Sequence, residues 1–230
     1  MEELKNPIVT IDGPAGSGKS TVSKLLAVRL GFFYLDTGAM YRAVAWQAMK
    51  TGTAPEDEDG LGRLCRRLDL HFETEEGGSR LLIGGEDITL AIRSPEMDLL
   101  SSRISAVATV REAMTGLQRK IGRDGGLVAE GRDMGTVVFP EARYKFFVSA
   151  APQIRAERRY LERLGRGETV RRDEVETELR KRDEQDSRRA IAPLVAAKDA
   201  VIIDTTSLTP DEVVDLIVGC MEGGDGSKET

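Results

Sequence analysis

Two cysteines and one histidine in 230 residues leave little room for thiol or imidazole chemistry. Cys65 and Cys220 are far apart and no Cys-x-x-Cys occurs, so neither a disulfide scaffold nor a zinc site is expected; both read as buried small apolar side chains. The single His71 lies in a stretch that reads as an insertion, where a structural role is expected. Apolar runs are short. None approaches the roughly 20 residues of a membrane helix, and residues 1–7 lack the basic-then-apolar shape of a secretion signal, so no membrane partner and a cytoplasmic location are expected. A basic surplus is missing too: the net charge of -6 argues against nucleic-acid binding driven by counterion release. There is no internal repeat, and the only low-complexity stretch is 223–230, which reads as a frayed end.

What is present is an ordinary globular balance, 40% hydrophobic and 31% charged, in a chain long enough for one core and an inserted subdomain. Nothing in it demands more than a monomer. From Pro7, the run Ile8-Val9-Thr10-Ile11 has the β-branched, apolar composition of a buried strand. A glycine-rich turn follows, then a helical segment ending at Gly31, a residue suited to the left-handed conformation past a helix end. Phe32–Leu35 reads as a strand, Ala39–Lys50 as a helix, and 53–60 as a surface connection. Leu70–Thr74 and Arg80–Ile83, joined by a turn at Glu76-Gly77-Gly78, read as short antiparallel strands within an insertion over 61–93. Ser94-Pro95 marks a helix start, Leu127–Ala129, Tyr144–Val148 and Ala200–Ile203 read as further buried strands, and Thr209-Pro210 opens a last helix. Alternating strands and helices predict an α/β fold with a mostly parallel sheet, whose ligands sit beyond the carboxyl ends of the strands, after Ile11, Leu35, Ala129 and Val148.

The segment Gly13-Pro14-Ala15-Gly16-Ser17-Gly18-Lys19-Ser20 fits GxxxxGK[ST], placed between strand and helix as that motif requires, with Thr21 next in line. Such a loop points successive N–H groups at phosphate oxygens, and the helix behind it adds its positive end. Lys19 is then expected on the β- and γ-phosphates of ATP, and Ser20 on Mg²⁺. The loop fixes the donor and leaves the reaction open. No Asn-Lys-x-Asp is present, which weakens a GTPase reading, and Val201-Ile202-Ile203-Asp204 reads as a structural strand end.

Two further strand ends carry arginines: Leu35-Asp36-Thr37-Gly38-Ala39-Met40-Tyr41-Arg42, and Glu130-Gly131-Arg132-Asp133-Met134-Gly135-Thr136. Thr37 and Arg42 suit a phosphate, and the glycines beside Arg132 and Asp133 let a ligand come close. Seven arginines against three glutamates fall between Arg155 and Arg172; Arg155, Arg158, Arg159, Arg163 and Arg166 share one helix face, either solvated or set against a polyanion. Gly165-Arg166-Gly167 breaks that helix, as a mobile cover needs. Arg182, Asp186 and Arg189 form another face, either a surface salt-bridge row or a phosphate and ribose site; Pro193 is expected to stop their helix.

Taken together, these motifs, with Gly131–Pro140 and Arg182-Asp183 through Arg189-Ala190-Ile191-Ala192-Pro193-Leu194, resemble the bacterial cytidylate kinases among the nucleoside monophosphate kinases, over Val9 to about Met221. The resemblance implies a P-loop NTPase fold with a central five-stranded parallel sheet, an acceptor-binding region over 37–110 and an arginine-bearing lid over 153–173. It implies transfer from ATP to CMP or dCMP. Ser102, Arg111 and Asp133 would read the cytosine, Arg182 and Asp186 hold the sugar, and Thr37, Arg42, Arg132 and Arg189 hold the acceptor phosphate. Lys19, Arg132, Arg189 and the lid residues Arg155 and Arg159 would neutralise charge in an in-line transfer, with Arg158 on ATP. Ser102 has rivals in Ser101 and Ser105, and a metal role for Glu130 stays open. A kinase of another small acceptor, such as UMP or a metabolite, and a P-loop ATPase without an acceptor are the competing readings.

Overall fold

The computed structural model describes residues 6–75 and 78–223. The tail assigned to 224–230 and the Glu76-Gly77 part of the expected turn lie outside the described residues, as do residues 1–5. Strands are β1 (Ile8–Asp12), β2 (Phe33–Asp36), β3 (Leu70–Glu75), β4 (Gly78–Ile83), β5 (Glu86–Asp87), β6 (Leu127–Gly131), β7 (Tyr144–Ser149) and β8 (Val201–Asp204). Helices are α1 (Lys19–Leu30), α2 (Thr37–Thr51), α3 (Glu58–Arg67), α4 (Pro95–Ile104), α5 (Ala108–Ile121), α6 (Pro152–Gly165), α7 (Arg172–Arg188) and α8 (Pro210–Gly223). The chain forms two compact units, Met1–Leu35 with Asp124–Thr230, and Asp36–Arg123.

The first unit is built on a five-stranded parallel sheet in the order β2-β6-β1-β7-β8. β1 lies in the middle and is buried on both faces, with Val9 and Ile11 on one and Thr10 and Asp12 on the other; Val9 pairs in register with Val128 of one neighbouring strand and Tyr144 of the other. Val9, Ile11, Val128, Phe146 and Val148 pack with Val22 and Leu26 of α1 and with Val213, Val214 and Ile217 of α8. Helix α1 stops at Gly31, whose N–H reaches the carbonyls of Ala27 and Val28. β8 departs from expectation. It is an edge strand in which only Ile203 is buried, while Val201 and Ile202 are exposed. Helix α7 ends at Arg188, ahead of Pro193, and Ala192 in between adopts a left-handed φ of 50°.

In the second unit, Asp36 caps α2 by accepting from Ala39 N–H at 2.7 Å, and Ser94 caps α4. The antiparallel sheet β3-β4-β5 forms inside the expected insertion. The stretch before it differs from the sequence reading: Glu58–Arg67 is helical, started by Asp57 accepting from Gly60 N–H at 2.8 Å, with Leu61 and Cys65 buried one turn apart. His71 is exposed on β3 beside Asp69. Burial pushes the Cys65 thiol up to about 11, so it is inert. Cys220, on α8 of the first unit, is exposed, contrary to the expectation that both cysteines are buried.

Candidate active site

The phosphate loop leaves β1 at Asp12 and enters α1 at Lys19. Close approach dictates two of its glycines. A Cβ on Gly13 would stand 2.0 Å from the Val148 carbonyl oxygen, and one on Gly16, at φ 75°, 2.6 Å from that of Arg155. Gly18 precedes α1 in a left-handed conformation. Lys19 is buried with Nζ 3.5 Å from the Pro14 carbonyl, and Ser17 Oγ is buried with no hydrogen-bond partner among the described residues. Thr205 ties the loop to the sheet edge by donating to the carbonyls of Ser17 at 2.9 Å and Ser149 at 3.1 Å. A cavity of about 320 Å³ opens over the loop, lined by Lys19, Thr21, Arg158, Arg159, Leu208 and Pro210 among others. An orphaned buried hydroxyl and a cradle that admits no Cβ fit a polyphosphate. Ser20 donates to Glu130 Oε1 at 2.8 Å, and Tyr34 donates to the same oxygen at 2.8 Å, so a hydroxyl and a carboxylate meet beside the loop. These hard oxygens suit Mg²⁺, an ion that takes few protein ligands beside phosphate and water; the described residues contain no group of three or more acidic, histidine or cysteine side chains placed to hold a metal.

The arginine face of α6 is mostly engaged with protein. Arg155 is buried; its Nε donates to the Ala150 carbonyl and its Nη1 to the Ala15 carbonyl, both at 3.1 Å, with Asp183 of α7 at 2.7 Å. Arg158 holds the Thr205 carbonyl at 2.7 Å and the Ser17 carbonyl at 3.4 Å. Arg163 is paired with Glu168 and Glu178. Arg159 and Arg166 share Glu162. Of the two arginines expected on the transferring group, Arg159 lines the cavity over the loop while Arg155 holds the loop at the Ala15 carbonyl.

Past β6, Asp133 is buried and Arg132 Nε donates to Asp186 Oδ2 at 2.9 Å. Arg189 follows the end of α7; its Nε donates to the Ala192 carbonyl at 2.5 Å and its Nη1 lies 3.9 Å from Asp186 Oδ1. Burial opposes ionisation of Asp186, but Arg132, Arg182 and Arg189 outweigh it and hold the carboxyl below its usual range. The face of Arg182, Asp186 and Arg189 is therefore a partly buried cluster around buried Asp186, joined by Arg132, and not a surface row. Asp12, which the sequence reading passed over, accepts from Met134 N–H at 2.9 Å and Gly135 N–H at 2.8 Å.

Thr37, Arg42, Ser102 and Arg111 belong to the second unit. Thr37 opens α2 and is buried. Arg42 sits 3.4 Å from Asp36 and 3.8 Å from Asp98 through its terminal nitrogens, while its buried Nε has no hydrogen-bond partner among the described residues. Arg93 adds a second cation to Asp36 at 3.0 Å. Arg111 is buried on α5 over the Tyr41 ring and donates to the Ser105 carbonyl. Ser101 and Ser105 donate their hydroxyls to the carbonyls of Asp98 and Ser102.

A parallel sheet with a glycine loop after its central strand, and the Arg132–Asp186 pair joining the end of β6 to α7, defines a P-loop kinase. The family model described as Cytidylate kinase matches residues 9–222. The chain is 51% identical over 210 residues to the cytidylate kinase of Geobacter sp. (strain M21), covering 91% of this chain and 90% of that one. It is 46% identical over 219 residues to the cytidylate kinase of Pelotomaculum thermopropionicum, covering 95% and 97%. The chain belongs to the cytidylate kinase family. Among solved structures, an uncharacterized protein from Eubacterium ventriosum ATCC 27560 matches with a TM-score of 0.54 at 14% identity, over 94% of this chain and 99% of that one, a likeness of fold alone.

Proposed function

We propose that the chain transfers the γ-phosphoryl group of ATP to CMP and dCMP, giving CDP and dCDP, by direct in-line displacement. The observation that carries this is the pairing, within one unit, of a braced phosphate loop with Arg132 fixed on buried Asp186. The loop N–H groups and Lys19 bind and orient the donor phosphates. Ser20 is the hydroxyl that would hold Mg²⁺ arriving with ATP, and the ion would supply charge neutralisation for the phosphates. Arg132, Arg189 and Arg42 orient the acceptor phosphate together with Thr37, and Arg159 neutralises charge from the lid over 153–173. The attacking oxygen belongs to that phosphate. It is largely deprotonated near neutral pH, so no strong base is required, and no covalent enzyme intermediate forms.

Asp133, Arg111 and Ser102 read the base. Cytosine offers an amino donor beside two acceptors, which a carboxylate and a guanidinium complement. Uracil would set a carbonyl against Asp133 and leave two buried acceptors facing each other, at a cost of about 1 to 3 kcal/mol. Arg182 and Asp186 hold the sugar. The enzyme acts as a monomer on small nucleotides in the cytoplasm, without nucleic acid. A rate panel over CMP, dCMP, UMP, AMP and shikimate with ATP tests the reading. ADP formation matched to CDP and dCDP, with UMP about ten- to a hundred-fold slower in kcat/KM, is expected. Phosphate release independent of any added monophosphate would sink it.

A further inference from the structure

Asp12 closes β1 and immediately precedes Gly13, yet its carboxylate serves the chain that follows β6. The residue is 3% exposed, and its two oxygens take one N–H each, from Met134 and Gly135. Those N–H groups open a single wide helical turn, Met134–Val138, closed by Val138 N–H on the Asp133 carbonyl at 3.1 Å and Phe139 N–H on the Met134 carbonyl at 2.7 Å. The first N–H groups of a helical turn have no acceptor within it and carry its positive end, so one carboxylate meets both needs. On the other side of Arg132, Gly131 pairs in register with Asp12 in the β1–β6 ladder. The two residues between, Arg132 and Asp133, are thus bracketed by the main chain of Asp12 before them and its side chain after them.

We infer that Asp12 is a positioning residue for the phosphoryl acceptor: its carboxylate fixes the backbone that aims Arg132 and Asp133. Burying a carboxylate is costly, and an apolar strand end would avoid that cost without capping the turn. The inference rests on Arg132 and Asp133 being the acceptor-reading pair. In Asp12→Asn the side chain keeps one acceptor and presents an NH₂ to the second N–H, so the turn must shift; a displacement of about 1 Å can cost on the order of a hundred-fold in rate.

The experiment compares Asp12→Asn with Asp133→Ala. It reads kcat/KM for CMP, the CMP to UMP ratio, and calorimetric binding of a non-hydrolysable ATP analogue without acceptor. For Asp12→Asn we expect kcat/KM for CMP to fall about ten-fold or more, the CMP to UMP ratio to shrink, and donor binding to stay within about two-fold. Because Asp12 adjoins the phosphate loop, a merely structural role would weaken the donor at least as much as the acceptor. Equal losses, or unchanged CMP kinetics in Asp12→Asn beside an impaired Asp133→Ala, overturn the inference. If Asp133→Ala leaves both CMP measures intact, the acceptor reading itself has failed. Should Asp12→Asn not fold, Asp12→Ser retains an acceptor for one N–H. Amide hydrogen exchange on the wild-type protein gives an independent measure: Met134 and Gly135 must be protected before CMP is added, and exchange at the rate of surface amides refutes the anchor.

Discussion

Replacing Arg132 by methionine removes a guanidinium that is 16% exposed from a carboxylate that is 9% exposed, at a contact of 2.9 Å. Breaking a buried ion pair on one side costs about 3 to 5 kcal/mol when the remaining charge is stranded. Asp186 is not fully stranded, since Arg182 and Arg189 still act on it, so a loss of about 2 kcal/mol is the fair expectation. At roughly 2 to 4 °C per kcal/mol for a chain of this size, the melting temperature falls by about 4 to 8 °C. Adding Asp186→Asn takes the carboxylate away from Arg182 and Arg189 as well and should return none of the lost stability, while kcat with CMP stays down by about a hundred-fold or more in both variants. Calorimetric melts at neutral pH and a coupled ADP assay read the two effects separately. A melting temperature within about a degree of the parent for Arg132→Met would refute the claim that this pair fastens α7 to the end of β6.

Acid stability offers a second check. Burial opposes ionisation of Asp36, but Arg42, Arg93 and the Ala39 N–H bring its pKa down to about 2. A lowered folded-state pKa stabilises the protein above the unfolded value of about 3.8, and this contribution, about 2 kcal/mol, is lost as pH falls toward 2. Asp36→Asn should flatten that part of the pH–stability curve measured by denaturant unfolding, and an unchanged slope counts against the pair of cations. Thr205→Val removes the hydroxyl that grips the Ser17 and Ser149 carbonyls, so KM for ATP should rise about five-fold with KM for CMP unchanged. Steady-state kinetics with each substrate varied in turn decide it, and a rise confined to CMP would show that the hydroxyl does not brace the donor loop.

The donor half was legible because its signals are local. A β-branched strand, glycines at fixed spacing, Lys19-Ser20 and a closing Gly31 all fall within 8–31, and each has one structural meaning. Helix α3 was not, since Gly60 and Gly62 weaken helical propensity and the acidic run before it reads as surface; the cap at Asp57 followed by Leu61 and Cys65 was the available signal. Spacing placed the arginines of α6 on one face but not their partners. Arg155 meets Ala15 and Asp183, and Arg163 meets Glu178, contacts that only the folded chain creates. Asp12 escaped for the same reason. Its donors are Met134 and Gly135, 122 and 123 positions away, and nothing local distinguishes it from an ordinary strand end.

The grip of Arg155 on Ala15 has a mechanical corollary. Ala15 also packs against Ala156, Val175 and Leu179, so the first turn of α6 is bolted to the very loop that the proposed lid is meant to shield. A door cannot swing at a hinge that is riveted to its frame. Any opening and shutting therefore belongs around the glycine at 167 with its φ of 78°, between Arg163, tied to Glu178, and Val170, packed on the same cluster, and the entropy surrendered on shutting is that of a few residues, not of both helices.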